Sequence, residues 1–263
     1  MQNNSLNISA LILTLNEEEM IEAALQQLNF VDEIIVLDQG SRDKTQTIAK
    51  KFTDKVFVAH QGSFDENRNL LATKAHGKWL LYVDADERLS PAVVGEIKQA
   101  ISDDSYSAFY IPRQNIILGK WAKHGGWWPD FVPRLFKADK LIRWEGKIHE
   151  SPKIEGKFGC LKNPIEHLTA RSLSAMLKKS IKWAKIEAQL YFENSSPKVS
   201  PIKVIKFSFC EFFNRYILKL GFLDGQVGLI ASAYQALHNA MILTYLWEMQ
   251  NNTEQKYFDA SFK

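Results

Sequence analysis

An α/β fold on a mostly parallel sheet is what the sequence predicts, from three observations. Short, continuous apolar runs recur at Ile8 to Thr14, Glu33 to Asp38, Lys55 to Ala59 and Lys78 to Val83. Ile8 to Thr14 reads as a strand covered on both faces. Stretches of helical length with capping residues separate the runs. Polar residues gather where the runs end, and an open parallel sheet binds its ligands beyond the carboxyl ends of its strands.

Each element follows in order. After the first strand, Asn16 with Glu19 predicts a capped helix to about Asn29. The second strand, Glu33 to Asp38, leads through a polar loop to a helix from about Asp43 to Phe52, with Asp43 as its cap. Lys55 to Ala59 is the third strand. Ser63 with Glu66 caps a helix to Ala75, and Gly77 terminates it. Lys78 to Val83 is the fourth strand and runs into Asp84-Ala85-Asp86. Ser90-Pro91 opens the next helix, because proline suits the first helical position. This alternation implies right-handed crossovers. Tyr106 to Arg113 predicts another strand. A loop rich in Gly and Trp follows, then shorter strands at Pro133 to Phe136 and Leu141 to Trp144.

From Arg171 the pattern turns helical. Leu173, Met176, Leu177, Ile181, Ala184, Ala188 and Tyr191 mark one face, and Lys178, Lys182 and Lys185 the other. Ser200-Pro201 opens a second helix that Gly221 ends, and a third runs from about Asp224 to Gln250.

Composition sets the bounds. Of 263 residues, 46% are hydrophobic and 24% charged, which supplies a core and excludes a disordered polyelectrolyte. A net charge of +3 is too small to argue for nucleic acid. Cys160 and Cys210 cannot build a disulfide framework or a multi-cysteine zinc site, which fits a reducing compartment. No basic segment precedes the first apolar run, and Glu17, Glu18 and Glu19 follow it, so no signal peptide is expected. Charge is uneven: Arg171 to Lys219 carries +7 and the remainder −4. Phe207, Phe209, Phe212, Phe213 and Tyr216 lie among these basic residues, a mixture suited to an anionic membrane surface. Gly225 to Trp247 lacks Asp, Glu, Lys and Arg, but Gln226, Ser232, Gln235, His238, Asn239 and Thr244 interrupt it. That pattern reads as a packed or interfacial helix, with a core helix or a homodimer interface as alternatives.

Several residues carry chemistry. Two carboxylates, Asp84 and Asp86, end an apolar strand. They suit a divalent cation on a diphosphate, while an Asx turn or a helix cap is the plain alternative. Asp38 closes a buried strand and can accept a hydrogen bond from a base or ribose. Arg68 is either a surface cation or a nucleotide contact. Trp121, Trp127 and Trp128 flank Lys123 and His124, as a sugar platform with phosphate-binding partners or as core packing. Arg134 serves either a phosphate or a buried salt bridge.

Three segments in order, Thr14-Leu15-Asn16-Glu17, Asp38-Gln39-Gly40-Ser41-Arg42-Asp43-Lys44-Thr45 and Asp84-Ala85-Asp86, resemble the signatures of family-2 glycosyltransferases of the GT-A fold. Trp127-Trp128-Pro129-Asp130, Pro133-Arg134-Leu135-Phe136, His149-Glu150 and Phe222-Leu223-Asp224-Gly225 are similar to the lipopolysaccharide core β-glucosyltransferase branch. The resemblance implies a GT-A domain over 1–170, with a nucleotide-binding half 1–105 and an acceptor half 106–170, and a basic, amphipathic helical appendage over 171–263. It implies that Thr14, Asn16 and Glu17 line a nucleotide pocket and that Asp38 binds the base. Arg68 would lie near the nucleotide and Asp84 would bind ribose. Asp86 would hold Mg²⁺ or Mn²⁺ on the diphosphate, and Trp127, Trp128, Arg134 and His149 would face the acceptor. Inverting transfer needs a general base. Glu150 is expected in that role ahead of Asp130, its alternative being a salt bridge with Lys147 or Arg143. His149 is either a further metal ligand or a hydrogen-bonded histidine. The implied activity moves a hexose, glucose from UDP-glucose, onto a lipopolysaccharide inner-core heptose or similar lipid-linked glycan. The implied place is the cytoplasmic face of a bacterial inner membrane. A sugar nucleotidyltransferase would instead show a Gly-rich, basic loop where Asn16-Glu17-Glu18-Glu19 stands. A membrane-bound scaffold of the same fold would lack metal-dependent donor hydrolysis.

Overall fold

The computed structural model describes residues 7–146 and 150–251. It divides into two compact units, Met1–Gln114 with Pro129–His167, and Asn115–Trp128 with Leu168–Lys263. The helical unit thus takes in residues 115–128 as well as the expected appendage.

The first unit opens with β1 (Ile8–Thr14), α1 (Ile21–Gln26), β2 (Glu33–Asp38), α2 (Thr45–Ala49), β3 (Val56–Val58), α3 (Phe64–Ala72) and β4 (Trp79–Tyr82). These strands pair in parallel in the order β3-β2-β1-β4. All seven residues of β1 are buried. Alternate side chains point to opposite faces, so Ile8, Ala10 and Ile12 enter one core cluster and Leu11 and Leu13 the other.

The chain continues through β5 (Glu87–Arg88), α4 (Pro91–Ala100), β6 (Ala108–Ile117), β7 (Lys120–Trp121), β8 (Phe131–Lys137), β9 (Leu141–Glu145), β10 (Ser151–Ile154), β11 (Phe158–Cys160) and β12 (Ile165–Ala170). Strand β8 pairs antiparallel with both β4 and β6, which turns a parallel sheet into a mixed one. Strands β9 and β10 form a separate hairpin. Two expected caps are present: Ser63 with Glu66 forms a capping box on α3, and Ser90 accepts from the Val93 N–H ahead of Pro91.

Other expectations need correction. The helix from Asn16 to Asn29 shrinks to α1, and Asn16 caps nothing. Asn16 takes φ +54°, and its side chain accepts from the Arg42 N–H at 2.9 Å. Asp43 lies one residue before the N-cap of α2, where it accepts from the Thr45 N–H at 3.0 Å and the Glu18 N–H at 3.1 Å.

The second unit holds α5 (Leu173–Glu193), α6 (Pro201–Phe213), a π-helical turn Asn214–Leu218, a 3-10 turn Gly221–Asp224 and α7 (Gly225–Asn251). The expected apolar face of α5 is only partly the buried one. Met176, Ser180, Ala184 and Ala188 are buried, at a spacing of four, while Leu173, Ile181 and Tyr191 are exposed. Small residues let α7 approach closely, and Ser180 donates to Tyr234 across that contact at 2.6 Å. Among the described residues no helix is long and apolar enough to cross a membrane.

Candidate active site at the carboxyl edge of the parallel strands

Strand β4 delivers Asp84 and Asp86 to the edge of the sheet. Asp84 accepts a hydrogen bond from Arg134 of β8 and lies 3.6 Å from the Arg68 guanidinium. Glu87 is buried beside it, accepts from Arg134, and takes the Asp84 N–H at 3.0 Å. Burial opposes ionisation of Asp84, but the cations Arg134 and Arg68 outweigh it and hold the carboxyl well below its ordinary range. Burial pushes the Glu87 carboxyl up, and the neighbouring Asp84 charge adds to that. Of the two places open to Arg134, the geometry has the buried ion pair.

Asp86 points elsewhere. Its carboxylate lies 3.2 Å from the His167 Nε2 of β12, and its side chain keeps 22% exposure, enough to meet a ligand. One carboxylate and one imidazole form an incomplete donor set. Mg²⁺ and Mn²⁺ take few protein ligands when diphosphate oxygens complete the shell. Among the described residues no cluster of three or more His, Cys, Asp or Glu could hold a metal alone.

Arg68 organises the floor. Its guanidinium packs 4.8 Å from the Trp144 ring and 5.4 Å from the Tyr82 ring. Burial pushes the Tyr82 hydroxyl up to about 12, so it stays neutral and donates to the Arg68 carbonyl at 3.2 Å. The Arg68 Nε donates to Glu150 Oε1 at 3.1 Å. Glu150 therefore joins the β4 edge through Arg68, and not through Arg143, which engages Glu145 at 2.6 Å. Lys147 and His149 lie outside the described residues. Asp130 is held by Arg113, whose Nε and Nη2 both reach one carboxylate oxygen, at 2.8 and 2.7 Å.

At the ends of β1 and β2 the loops are stitched together. The Asn16 N–H donates to Ser41 Oγ at 2.7 Å, and the Glu17 N–H to Thr45 Oγ1 at 2.8 Å. Asp38 is fully buried; its carboxylate accepts from the Gly40 and Ser41 N–H groups at 2.9 and 2.7 Å and from Gln46 at 2.8 Å. Gly40 has φ +88°, and a Cβ there would stand 2.8 Å from the His60 ring, so glycine is required. Asp38 thus shapes its own loop. Thr14 Oγ1 is buried without a hydrogen-bond partner among the described residues, the kind of orphan that a ligand can satisfy.

The first unit therefore gathers Thr14, Asn16, Glu17, Asp38, Arg68, Asp84, Asp86, Asp130, Arg134 and Glu150. Trp127 and Trp128 belong to the second. There Trp127 packs against Arg215, 5.7 Å from ring to guanidinium, and Trp128 meets Trp121 edge-on at 5.3 Å. Sequence reasoning missed His167 and Glu87, and the only signal for His167 was a lone histidine in an alternating strand.

A parallel half-sheet with paired aspartates at its fourth strand end, extended by antiparallel strands, defines a GT-A type nucleotide-sugar enzyme. The chain belongs to glycosyl transferase family 2, whose family model matches residues 9–168. A glycosyltransferase of Rickettsia felis is 35% identical over 92% of this chain and 89% of its own length. Another, of Rickettsia bellii, is 37% identical over 40% of this chain, and the match spans only 37% of that relative. The lipopolysaccharide core biosynthesis glycosyltransferase LpsC of Rhizobium meliloti is 22% identical over 72% of this chain and 73% of its own.

Proposed function

We propose that this glycosyltransferase moves a hexose, glucose from UDP-glucose, with inversion onto a lipopolysaccharide inner-core or similar lipid-linked glycan. The place of action would be the cytoplasmic face of the inner membrane. The observation that carries the reading is the β4 edge, where Asp86 faces His167 and Asp84 is locked between two arginines. The likeness to LpsC supports the acceptor class.

In this reading Thr14, Asn16, Glu17 and the loop shaped by Asp38 line the nucleotide, with Arg68 close by, and Asp84 meets ribose. Asp86 and His167 would hold a divalent cation, which when bound neutralises charge on the leaving diphosphate. Glu150 acts as the base. Arg68 binds its Oε1, and the carboxylate takes the acceptor hydroxyl proton. The hydroxyl oxygen then bonds to the anomeric carbon as the nucleoside diphosphate leaves from the opposite face. Asp130 stays the alternative base, with Arg113 binding its Oδ2 through two nitrogens. Trp127, Trp128 and His149 serve the acceptor, and a homodimer through the C-terminal helices is compatible with the reading.

The test is transfer from UDP-glucose with Mn²⁺ or Mg²⁺. Glu150→Gln should lower turnover by ~10²–10⁴ while UDP binding survives, and Asp130→Asn should cost less. Full activity in saturating EDTA, or a dead Asp130→Asn beside an active Glu150→Gln, would overturn the respective assignment.

A further inference from the structure

Among the described residues, the second unit carries an exposed apolar surface. No residue of α6 is buried. Ile202, Ile205 and Phe209 are 76%, 72% and 67% exposed, and Phe213 is exposed as well. At about 100° per residue these four fall within about 80° of one another, one stripe along the helix. The Phe209 and Phe213 rings stack along it, 6.4 Å apart. Further large apolar side chains are exposed in the turns that follow the helix. Leu218 is 65% and Leu223 56% exposed, with Leu220 and Phe222 exposed between them. Leu220 holds a left-handed φ of +58°, which side chains seldom adopt. A Cβ on Gly221 would stand 2.7 Å from the Arg215 carbonyl, so the turn is built tight at this tip.

Charge says what the surface meets. Lys203, Lys206 and Lys219 lie along the same segment, and the single acid in the helix, Glu211, is tied to Arg215 one turn on. An apolar stripe edged by lysines suits an anionic lipid surface, because the stripe enters the acyl boundary while the cations meet headgroups. At 13 residues α6 is too short to span a bilayer, so it would lie in the interfacial plane.

We propose that Ile202 to Leu223 is the membrane-docking surface of this protein and that its occupant is an anionic bilayer. The inference rests on the membrane-surface part of the proposed function and not on its transfer chemistry.

The test is co-sedimentation of the full chain with vesicles of phosphatidylcholine alone, or of phosphatidylcholine and phosphatidylglycerol in equal parts. Wild type should bind the anionic vesicles more tightly and lose binding as salt rises. Ile205→Ser with Phe209→Ser should weaken binding at least tenfold. Lys203→Gln with Lys206→Gln should weaken it about fivefold per lysine, on anionic vesicles only. All four positions lie on the surface, so circular dichroism should stay unchanged. If wild type binds but the Ile205/Phe209 variant binds equally well, the membrane reading stands and the assignment to α6 falls. If wild type binds neither vesicle while Ile205→Ser with Phe209→Ser converts a dimer to a monomer, a second copy covers the stripe and the proposal fails. UDP-glucose hydrolysis measured alongside reads the chemistry separately.

Discussion

Arg134 shows how far one residue's role depends on partners the sequence cannot pair. Its guanidinium is buried and compensates two acids, Asp84 and Glu87, that lie some fifty residues earlier. Breaking a buried pair leaves charge stranded in low dielectric and costs about 3–5 kcal/mol. Exposed pairs are worth about 0–1 kcal/mol. Arg134→Met keeps the volume and should therefore destabilise the first unit by about 3–5 kcal/mol in urea unfolding. Arg143→Met, at an arginine that is 59% exposed on Glu145, should cost about 0.5 kcal/mol or less. Equal losses would mean that the Asp84–Glu87–Arg134 cluster is not stabilising. Asp84 and Asp86 were legible as candidate site residues because they end an apolar strand, a local fact. His167 and Glu87 were not, because their roles arise from pairing between β12 and β5 and from the reach of Arg134.

Elements were read best where one local signal sufficed. Strands β1, β2 and β4 are continuous apolar runs, and α3 and α4 begin at caps visible as Ser63 with Glu66 and Ser90 with Pro91. The reading failed where a long-range bond competed with a local one. Asn16 prefers the Arg42 N–H to capping α1, and α5 buries a small-residue stripe because α7 needs close approach. Strand β2 also carries a pH-dependent anchor. Burial of Glu33 opposes its charge, but Lys55, Ser9 Oγ and the ring and N–H of His76 overcome it. Its carboxyl is lowered from 4.5 to about 2. A depressed carboxyl contributes stability above its unfolded value and loses it as pH falls towards the folded one. Glu33→Gln should thus be less stable than wild type by about 2 kcal/mol at neutral pH, after allowing for solvent screening of Lys55. The difference should close between pH 4.5 and about 2. Urea unfolding of both proteins across that range measures it, and a gap independent of pH would remove Glu33 as the titrating anchor.

At the scale of the molecule, linear order misleads about residues 115–128. They hold the end of β6 and all of β7, yet they group with the helices, where the His124 N–H and ring engage Asp224 at 2.8 and 2.7 Å. Charge divides in the same sense: the +7 stretch is in the second unit, and the Asp and Arg clusters of the candidate site are in the first. Such a division predicts where a nucleotide should act. A ligand that binds only the folded state stabilises it by about 2.7 kcal/mol at a hundred times its dissociation constant. That energy belongs to the unit that carries Thr14, Asp84, Asp86 and His167. For a unit of roughly 150 residues it amounts to a shift of about 5–10 °C in midpoint. UDP with Mn²⁺ should therefore raise the calorimetric transition of the first unit and leave the heat absorbed by the helical unit where it was. Asp86→Asn should abolish the shift, because Asp86 with His167 is the pair proposed to hold the cation. A shift of the same size in Asp86→Asn would separate nucleotide binding from the cation and remove Asp86 as its ligand.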